Sequence, residues 1–222
     1  MSYPTYGNQI YSSIEGIKIG VGSFWSEIYS SILYEIIKKK NKPTIGELGS
    51  GYGLLAFFLL KKFDDFFYVC IDLPEILCLS SYYLIKCFPN KNNLLYGEKN
   101  INNWSVKENN LVFLPSYKIH ALKDNSVDLF INKNSLGEME KLSAQNYLKH
   151  IKRSTKYFFH INHDNYRDHI SNNSVGLLAS EYNLGGNFKQ LYRYPDLGHF
   201  SPNGQYNYSN DIFCYLYEKE NQ

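Results

Sequence analysis

The sequence has no long hydrophobic run and no strong excess of either charge. Its longest uninterrupted apolar segment covers residues 54–60, far fewer than the roughly 20 residues that a membrane-spanning helix needs. The formal net charge of +2 gives no basic surface of the kind that binds nucleic acid. Residues 1–10 lack the basic and then apolar pattern of a secretion signal. We therefore expect a cytoplasmic protein with no membrane span and no nucleic-acid partner.

Cysteine is also scarce, and none of the four cysteines belongs to a C-x-x-C pair. Three of them lie within or beside apolar runs, where a reduced cysteine behaves as a small hydrophobic residue. We therefore expect neither a disulfide nor a zinc site. The four are Cys70, Cys78, Cys87 and Cys214.

Length and composition predict one globular domain. Hydrophobic residues make up 44% and charged residues 20% of the 222 residues, which is the composition of a chain that can bury a core. No internal repeat and no Pro- or Ser-rich linker divides the sequence. We expect residues 1–43 to form an N-terminal arm and helix that could act as a lid, and residues 44–222 to form the main domain. No pattern indicates an oligomeric state.

Apolar runs of strand length alternate with segments of helical spacing. The helical segments are residues 24–40, a segment that begins at Leu54, residues 75–87 and the region of residues 142–151. The strand-like runs are residues 44–48, 66–71, 111–114, 127–131 and 157–161. These runs are continuous rather than alternating, which is typical of parallel strands buried on both faces. The pattern predicts an α/β fold with five parallel strands and helices on both faces of the sheet.

The C-terminal part of the sequence departs from this alternation. Residues 188–194 and 211–218 are strand-like, and the segment between them is rich in Pro, Gly and Asn with no helical pattern. Two strands without a crossover helix are expected to be antiparallel. The predicted sheet therefore has an antiparallel C-terminal strand pair in addition to its five parallel strands.

A glycine cluster follows the first predicted strand of this sheet. Glycines at such a turn allow a ligand to approach the main chain closely, and Asp72 ends the next strand, where its carboxylate could accept hydrogen bonds from both ribose hydroxyls of a nucleoside. A dinucleotide-binding motif, G-x-G-x-x-G/A, can be placed on Gly51, Gly53 and Ala56. This assignment would make the protein an NAD-dependent oxidoreductase, but no Tyr-x-x-x-Lys constellation supports it.

The alternative motif is E-x-G-x-G-x-G, which begins at Glu47 and ends at Gly53. An acid inside the turn opposes a diphosphate and suits a cationic amino-acid group. With Asp72 and the C-terminal strand pair, this pattern resembles motif I of the class I S-adenosylmethionine-dependent methyltransferases. The resemblance covers about residues 44–218 and implies a Rossmann-like methyltransferase sheet with S-adenosylmethionine as cofactor.

The resemblance also implies which residues contact the cofactor. Glu47 would contact the methionine end through the turn, Gly49 and Gly51 would cradle the ligand, and Asp72 would bind the ribose. Tyr52 could place its ring near the sulfonium as a cation–π contact, or pack over the turn. The full set of cofactor-binding candidates is Glu47, Gly49, Ser50, Gly51, Tyr52, Gly53, Asp72, Leu73, Ser116 and Asn134. Within this set, Leu73 would pack on the adenine, and Ser116 would lie near its edge.

The segment after the fourth predicted strand reads N-S-L-G-E-M, at residues 134–139. It is similar to a segment in the family of sugar O-methyltransferases, which implies methyl transfer to a sugar hydroxyl in polysaccharide or nucleotide-sugar biosynthesis. The acceptor could instead be another small metabolite. A third possibility is a non-catalytic domain that binds S-adenosylmethionine or another subunit. Asn132 and Asn134 bracket the end of the strand, where their amides could hold acceptor hydroxyls.

A sugar hydroxyl loses a proton as it attacks, so a general base is useful. The first candidate is Glu138, which could alternatively cap the helix that begins near Lys141. The second is His163, just beyond the fifth strand at the edge where open α/β sheets bind ligands. We expect His160, within that strand, to be a hydrogen-bonded core residue, while His199 lies in a loop that could cover the acceptor.

Three acids could lie near this edge, namely Glu138, Asp164 and Asp168. Magnesium sites in proteins use several clustered carboxylate or amide oxygens. No D-x-x-x-D/N constellation stands out among these residues. We therefore expect no required metal.

Overall fold

The structure is a computed structural model that describes residues 10–20, 22–63, 65–100, 110–165, 169–171, 174–196 and 211–220, together with Tyr6 and Lys107. Within these residues the chain forms four α-helices and twelve β-strands. The helices are α1 (Ser23–Ile37), α2 (Leu54–Lys62), α3 (Pro74–Cys87) and α4 (Lys141–Ser154). The strands are β1 (Tyr11–Ile14), β2 (Ile17–Gly20), β3 (Thr44–Leu48), β4 (Phe67–Asp72), β5 (Asn93–Leu95), β6 (Leu111–Pro115), β7 (Val127–Lys133), β8 (Thr155–His163), β9 (His169–Ser171), β10 (Ser174–Val175), β11 (Phe188–Pro195) and β12 (Ile212–Lys219).

The chain divides into two compact units. The first comprises residues 1–44 and 50–118, and the second comprises residues 45–49 and 119–222. In the first unit, β6 pairs in parallel with β4 on one side and with β5 on the other. Helix α3 packs on β4 and β6, and α1 packs on α2.

The second unit contains the other part of the parallel structure and the C-terminal strand pair. Strand β7 lies between β3 and β8 and is parallel to both. Strand β12 then pairs antiparallel with β8, and β11 pairs antiparallel with β12. The predicted fold class is therefore confirmed: the chain is a mixed α/β protein with parallel-dominated strands and an antiparallel C-terminal pair.

The continuous apolar runs are strands that are buried on both faces. Every residue of β3 and of β6 is buried. Phe130 of β7 and Phe158 of β8 are fully inaccessible to solvent, as is Tyr68 of β4. Because neighbouring residues on a strand point to opposite faces, burial of consecutive side chains requires cover on both sides. This explains why the sequence shows no alternation there.

Several elements were not predicted from the sequence. The hairpin of β1 and β2 turns through Glu15 and Gly16, both of which have positive φ. The short strand β5 and the pair of β9 and β10 were also not predicted. Helix α1 ends at Ile37, three residues before the end of the predicted helical segment, residues 24–40. The chain leaves the helix there and passes through Lys42, at φ 48°, into β3.

Strand β11 lies at one edge of the second unit and has β12 as its strand partner. Its side chains are mostly exposed, and its register with β12 shifts between Gln190 and Tyr192. Such a shift is a bulge, which bends and twists the strand locally. The strand begins at Phe188 and ends at Pro195, a residue that has no N–H to donate to a neighbour.

None of the four cysteines, all of which lie in the described residues, forms a disulfide, and Cys70 and Cys214 are buried. None of the helices in the described part of the chain is both long and apolar enough to cross a membrane.

Candidate active site

The glycine turn and Asp72 are directly connected in the first unit. The backbone N–H of Gly51 donates a hydrogen bond to Asp72 Oδ2 at 2.8 Å. The N–H of Leu73 donates to the other carboxylate oxygen, Oδ1, also at 2.8 Å. The carboxylate at the end of β4 is thereby fixed against the turn that precedes α2. Two predicted cofactor residues, Gly51 and Asp72, are brought together by this contact.

Gly51 and Gly53 both require glycine, but for different reasons. Gly51 has φ +54°, and a Cβ added there would meet no atom within 4 Å. Gly53 has φ +93°, and an added Cβ would lie 2.8 Å from Leu84 Cδ1. Glycine at position 51 therefore leaves open space beside the main chain, where a ligand could approach. Glycine at position 53 allows α2 to begin in close contact with α3.

The remaining candidates of the first unit have different surroundings. Ser50 is buried, and its hydroxyl has no hydrogen-bond partner among the described residues. The ring of Tyr52 packs edge to face against Tyr83, with the ring centroids 5.5 Å apart. Leu73 is 57% exposed, whereas Ser116 is buried at the first position of a 3-10 helix. Leu73 thus presents an exposed side chain that a ligand could contact.

Glu47 and Gly49, at the beginning of the E-x-G-x-G-x-G motif, belong to the second unit. Glu47 is a buried residue of β3, paired with Ile131 on β7. Gly49, just after the strand, has φ +77°, and a Cβ there would lie 2.7 Å from Ser135 Cβ. Because both the backbone angle and the space favour glycine, any other residue at position 49 would displace Ser135.

Asn132 does not face an acceptor, contrary to the interpretation that its amide could hold acceptor hydroxyls. Its side chain is fully buried, and Nδ2 donates to the carbonyl of Leu48 at 2.9 Å. Its Oδ1 accepts a hydrogen bond from the N–H of Leu136 at 3.3 Å. Asn132 therefore supports the backbone from inside the protein. Asn134 is half-buried with φ +49°, and its backbone N–H donates to the carbonyl of Ile161 at 2.8 Å.

His163 forms a close pair with a carboxylate that the sequence did not indicate. Its Nδ1 lies 2.8 Å from Asp211 Oδ2, and both side chains are partly exposed. The other oxygen, Oδ1, accepts a hydrogen bond from the N–H of Asn165 at 2.6 Å. Asp211 lies beside His163 because β12, which begins at Ile212, pairs with the end of β8. Only the antiparallel register of the C-terminal strands could have revealed this partner.

Glu138 is exposed and ends the 3-10 helix Leu136–Glu138. The preceding residue, Gly137, is close to His163: a Cβ on Gly137 would lie 4.0 Å from His163 Cδ2. The two catalytic candidates are therefore in neighbouring segments. Glu140, and not Glu138, occupies the N-cap position of α4, with no side-chain capping hydrogen bond. Glu138 thus lies two residues before the N-cap of α4.

Asp164 is committed to a buried polar cluster. Its Oδ1 accepts a hydrogen bond from the Tyr215 hydroxyl at 2.7 Å, and its Oδ2 pairs with Arg193. Burial and the hydrogen bond to Asp164 raise the pKa of Tyr215 to about 12. Asp164 is thus engaged by protein groups rather than presented to a metal. Within the described ranges, no three His, Cys, Asp or Glu side chains are grouped to hold a metal ion; Asp168 and His199 lie outside those ranges.

His160 is a core residue, as expected, but it is not hydrogen-bonded. Both ring nitrogens are buried, and neither has a partner in the described part of the structure. The ring stacks on Tyr215, with centroids 4.7 Å apart and planes inclined by 16°. Burial lowers the pKa of His160 to about 3. The residue is therefore neutral at physiological pH.

Comparison by sequence finds no matching family model and no curated protein of similar sequence. Comparison by structure, in contrast, finds methyltransferases. The mitomycin 7-O-methyltransferase MmcR has a TM-score of 0.57 and 12% identity over 90% of this chain, and the match spans only 54% of MmcR. The PH0226 protein of Pyrococcus horikoshii OT3 has a TM-score of 0.59 and 14% identity, over 98% of this chain and 96% of its own.

The N-terminal domain of EvdMO1, solved in the presence of SAH and D-fucose, has a TM-score of 0.58 and 12% identity, over 96% of this chain and 91% of its own. Other solved structures of this fold include a carbon methyltransferase, a small RNA methyltransferase and a magnesium protoporphyrin IX methyltransferase. Such different acceptors show that the fold alone does not determine the substrate. The fold of this chain is that of the class I S-adenosylmethionine-dependent methyltransferases, as its glycine-rich motif predicted.

Proposed function

We propose that the protein is an S-adenosylmethionine-dependent O-methyltransferase that acts on a sugar hydroxyl. The observation that carries the methyl-transfer proposal is the contact between the Gly51 N–H and the Asp72 carboxylate. A carboxylate offers about four acceptor positions, and the backbone uses one on each oxygen of Asp72. The remaining positions suit the two ribose hydroxyls of a nucleoside.

Other residues of the turn fit the same ligand. The open space beside Gly51 allows a ligand to approach the main chain. In the sequence motif, the acidic residue Glu47 suits the cationic amino group of a methionine moiety. A diphosphate would be repelled there, which argues against NAD.

When bound, S-adenosylmethionine would supply an electrophilic methyl group for the acceptor oxygen, and S-adenosylhomocysteine would be the leaving group. The chain has to remove the hydroxyl proton. We assign this role to His163, because Asp211 favours the tautomer with hydrogen on Nδ1. In that tautomer Nε2 carries the lone pair that accepts the proton. Glu138 is the alternative base.

Two observations support a sugar acceptor. The N-S-L-G-E-M segment is similar to one in sugar O-methyltransferases, and EvdMO1, which has the same fold, was solved with D-fucose present. We infer polysaccharide or nucleotide-sugar biosynthesis as the context. A different small metabolite, or a non-catalytic domain that binds S-adenosylmethionine, remains the second candidate, because related folds methylate diverse acceptors.

The test is calorimetric titration of the purified chain with S-adenosylhomocysteine (SAH) and, in parallel, with NADH. We expect micromolar binding of SAH and no binding of NADH. Mixtures of neutral sugars and nucleotide sugars are then screened with S-adenosylmethionine labelled on the methyl group. Binding of NADH alone would contradict the cofactor proposal. Binding of SAH without methyl transfer to any acceptor class would favour the non-catalytic domain.

A further inference from the structure

Asn132 forms hydrogen bonds both to the start of the glycine turn and to residues 135–138. In the proposed function the turn binds the cofactor, and the N-S-L-G-E-M segment is similar to that of sugar O-methyltransferases. It lies on β7, directly opposite Leu48, the last residue of β3. Its Nδ2 donates to the carbonyl of Leu48 at 2.9 Å, immediately before Gly49 of the glycine turn. The same nitrogen also donates to Ser135 Oγ. The nitrogen side of this amide therefore holds the start of the turn.

The oxygen side of the same amide holds the segment that contains Glu138. Asn132 Oδ1 accepts from the N–H of Leu136 at 3.3 Å and from Asn162 Nδ2 at 2.9 Å. Asn162 Oδ1 in turn accepts from the N–H of Gly137 at 3.3 Å. All four hydrogen-bonding positions of the Asn132 amide are used. Its orientation is fixed, because the backbone N–H of Leu136 lies on the oxygen side and the backbone carbonyl of Leu48 lies on the nitrogen side.

Ser135 also links the start of the glycine turn to residues 135–138. Its hydroxyl donates to the carbonyl of Leu48 at 3.3 Å, and its Cβ lies so close to Gly49 that no side chain fits on that residue. Ser135 also accepts the N–H of Glu138 through its carbonyl, at 3.2 Å. A shift of the turn at Gly49 therefore displaces Ser135, and with it the 3-10 helix that follows.

We propose that Asn132 is a positioning residue that keeps the Gly49 end of the turn and residues 135–138 in one fixed arrangement. The proposal deepens the proposed function and rests on it. Gly137 of this segment lies beside His163, the proposed base, and correct alignment of reacting groups accounts for a large part of enzymatic rate enhancement. Loss of the arrangement therefore lowers kcat more than it raises KM for S-adenosylmethionine. A residue that served only stability would change neither constant well below the unfolding temperature.

The principal test is Asn132→Asp, which preserves size but places an oxygen against the carbonyl of Leu48. We expect kcat to fall about tenfold or more, the scale of leaving buried polar groups unpaired, with a smaller change in KM. The matched control is Asn90→Asp, the same chemical change at an exposed turn residue, which should leave both constants unchanged. Ser135→Ala is the milder second variant if Asn132→Asp does not fold, and it should change the constants in the same direction.

Hydrogen exchange on the ligand-free chain gives a readout that needs no cofactor. In Asn132→Asp, the amides of Leu136 and Gly137 should exchange about tenfold faster or more. The new oxygen is repelled by the carbonyl of Leu48 and by the neighbouring acceptors, and this displaces Asn132 Oδ1, the acceptor of Leu136, and Asn162 Oδ1, the acceptor of Gly137. Unchanged exchange, or unchanged kcat in both variants despite a lower unfolding temperature, would overturn the positioning role. If the unsubstituted chain binds no SAH, the proposed function fails instead, and exchange at these two amides still decides whether Asn132 holds the segment.

Discussion

Two carboxylates have their side chains oriented by backbone N–H groups at strand ends. Asp72 accepts from Gly51 and Leu73, and Asp211 accepts from Asn165 while it faces His163. Hydrogen bonds to a charged group are stronger than those between neutral groups. Each carboxylate is therefore held in a defined orientation, which is what binding a ribose or orienting an imidazole requires.

Replacing Asp72 by alanine should weaken SAH binding without unfolding the protein. Loss of charge-assisted hydrogen bonds is expected to lower the affinity by about tenfold to 100-fold. Calorimetry on the variant measures this directly. Asp65→Ala is the control, because Asp65 is an exposed acid of the same unit that pairs with Lys42. Equal affinities for Asp72→Ala and the unsubstituted chain would remove Asp72 from the cofactor site.

The identity of the base can be decided by comparing two conservative variants. His163→Gln should retain SAH affinity but reduce kcat by about 10²–10⁴-fold, the usual contribution of general base catalysis. Glu138→Gln should change kcat by no more than a few-fold. Single-turnover rates with saturating cofactor are the appropriate measurement. The opposite pattern would make Glu138 the base.

At the scale of elements, we expect two glycines of the turn to have different roles, Gly51 in ligand binding and Gly53 in the stability of the fold. Gly51→Ala adds a methyl group in open space, so the cost to stability should be only the backbone term of about 1–2 kcal/mol, while SAH binding should be lost. Gly53→Ala meets Leu84 and should destabilise the fold by about 2–4 kcal/mol from strain and overpacking. Urea unfolding and SAH titration of both variants test this difference. Equal losses of stability in the two variants would contradict it.

The sequence predicted the main strands of the sheet and the glycine turn, but it did not predict every strand or the side-chain contacts between strands. Continuous apolar runs identify strands buried on both faces, and the glycine cluster identifies the turn after β3. The hairpin at Glu15 and Gly16 was not recognised, because a two-residue turn between short polar strands gives a weak signal. The role of Asn132 was misjudged since an amide at a strand end has the same sequence pattern whether it faces a ligand or the backbone. Asp211 could be assigned to His163 only once the strand register was known.

At the scale of the whole molecule, the neutral His160 makes stability depend on pH. Its pKa is lowered to about 3 in the folded chain, whereas an unfolded histidine titrates near 6.5. Between these values the unfolded state binds the additional proton, so stability decreases as the pH falls from about 6.5 to about 3. Above about 6.5 this contribution is constant.

His160→Phe should remove this dependence. Phenylalanine keeps an aromatic ring beside Tyr215 and has no unpaired nitrogens, so the variant should gain stability relative to the unsubstituted chain as the pH is lowered. Urea unfolding at several pH values between about 4 and 8 measures the difference. A stability difference that is the same at every pH would contradict the assignment.

The bulge on β11 has a consequence for how copies of the chain can meet. A straight, regular edge strand offers a row of backbone groups on which another strand can assemble. Here the register shift between Gln190 and Tyr192 interrupts the row, Lys189 places a charge on it, and Pro195 ends it without a donor. Growth of fibrils or ribbons from this edge is thereby disfavoured. The C-terminal strand pair thus extends the sheet and at the same time limits its continuation into a neighbouring molecule.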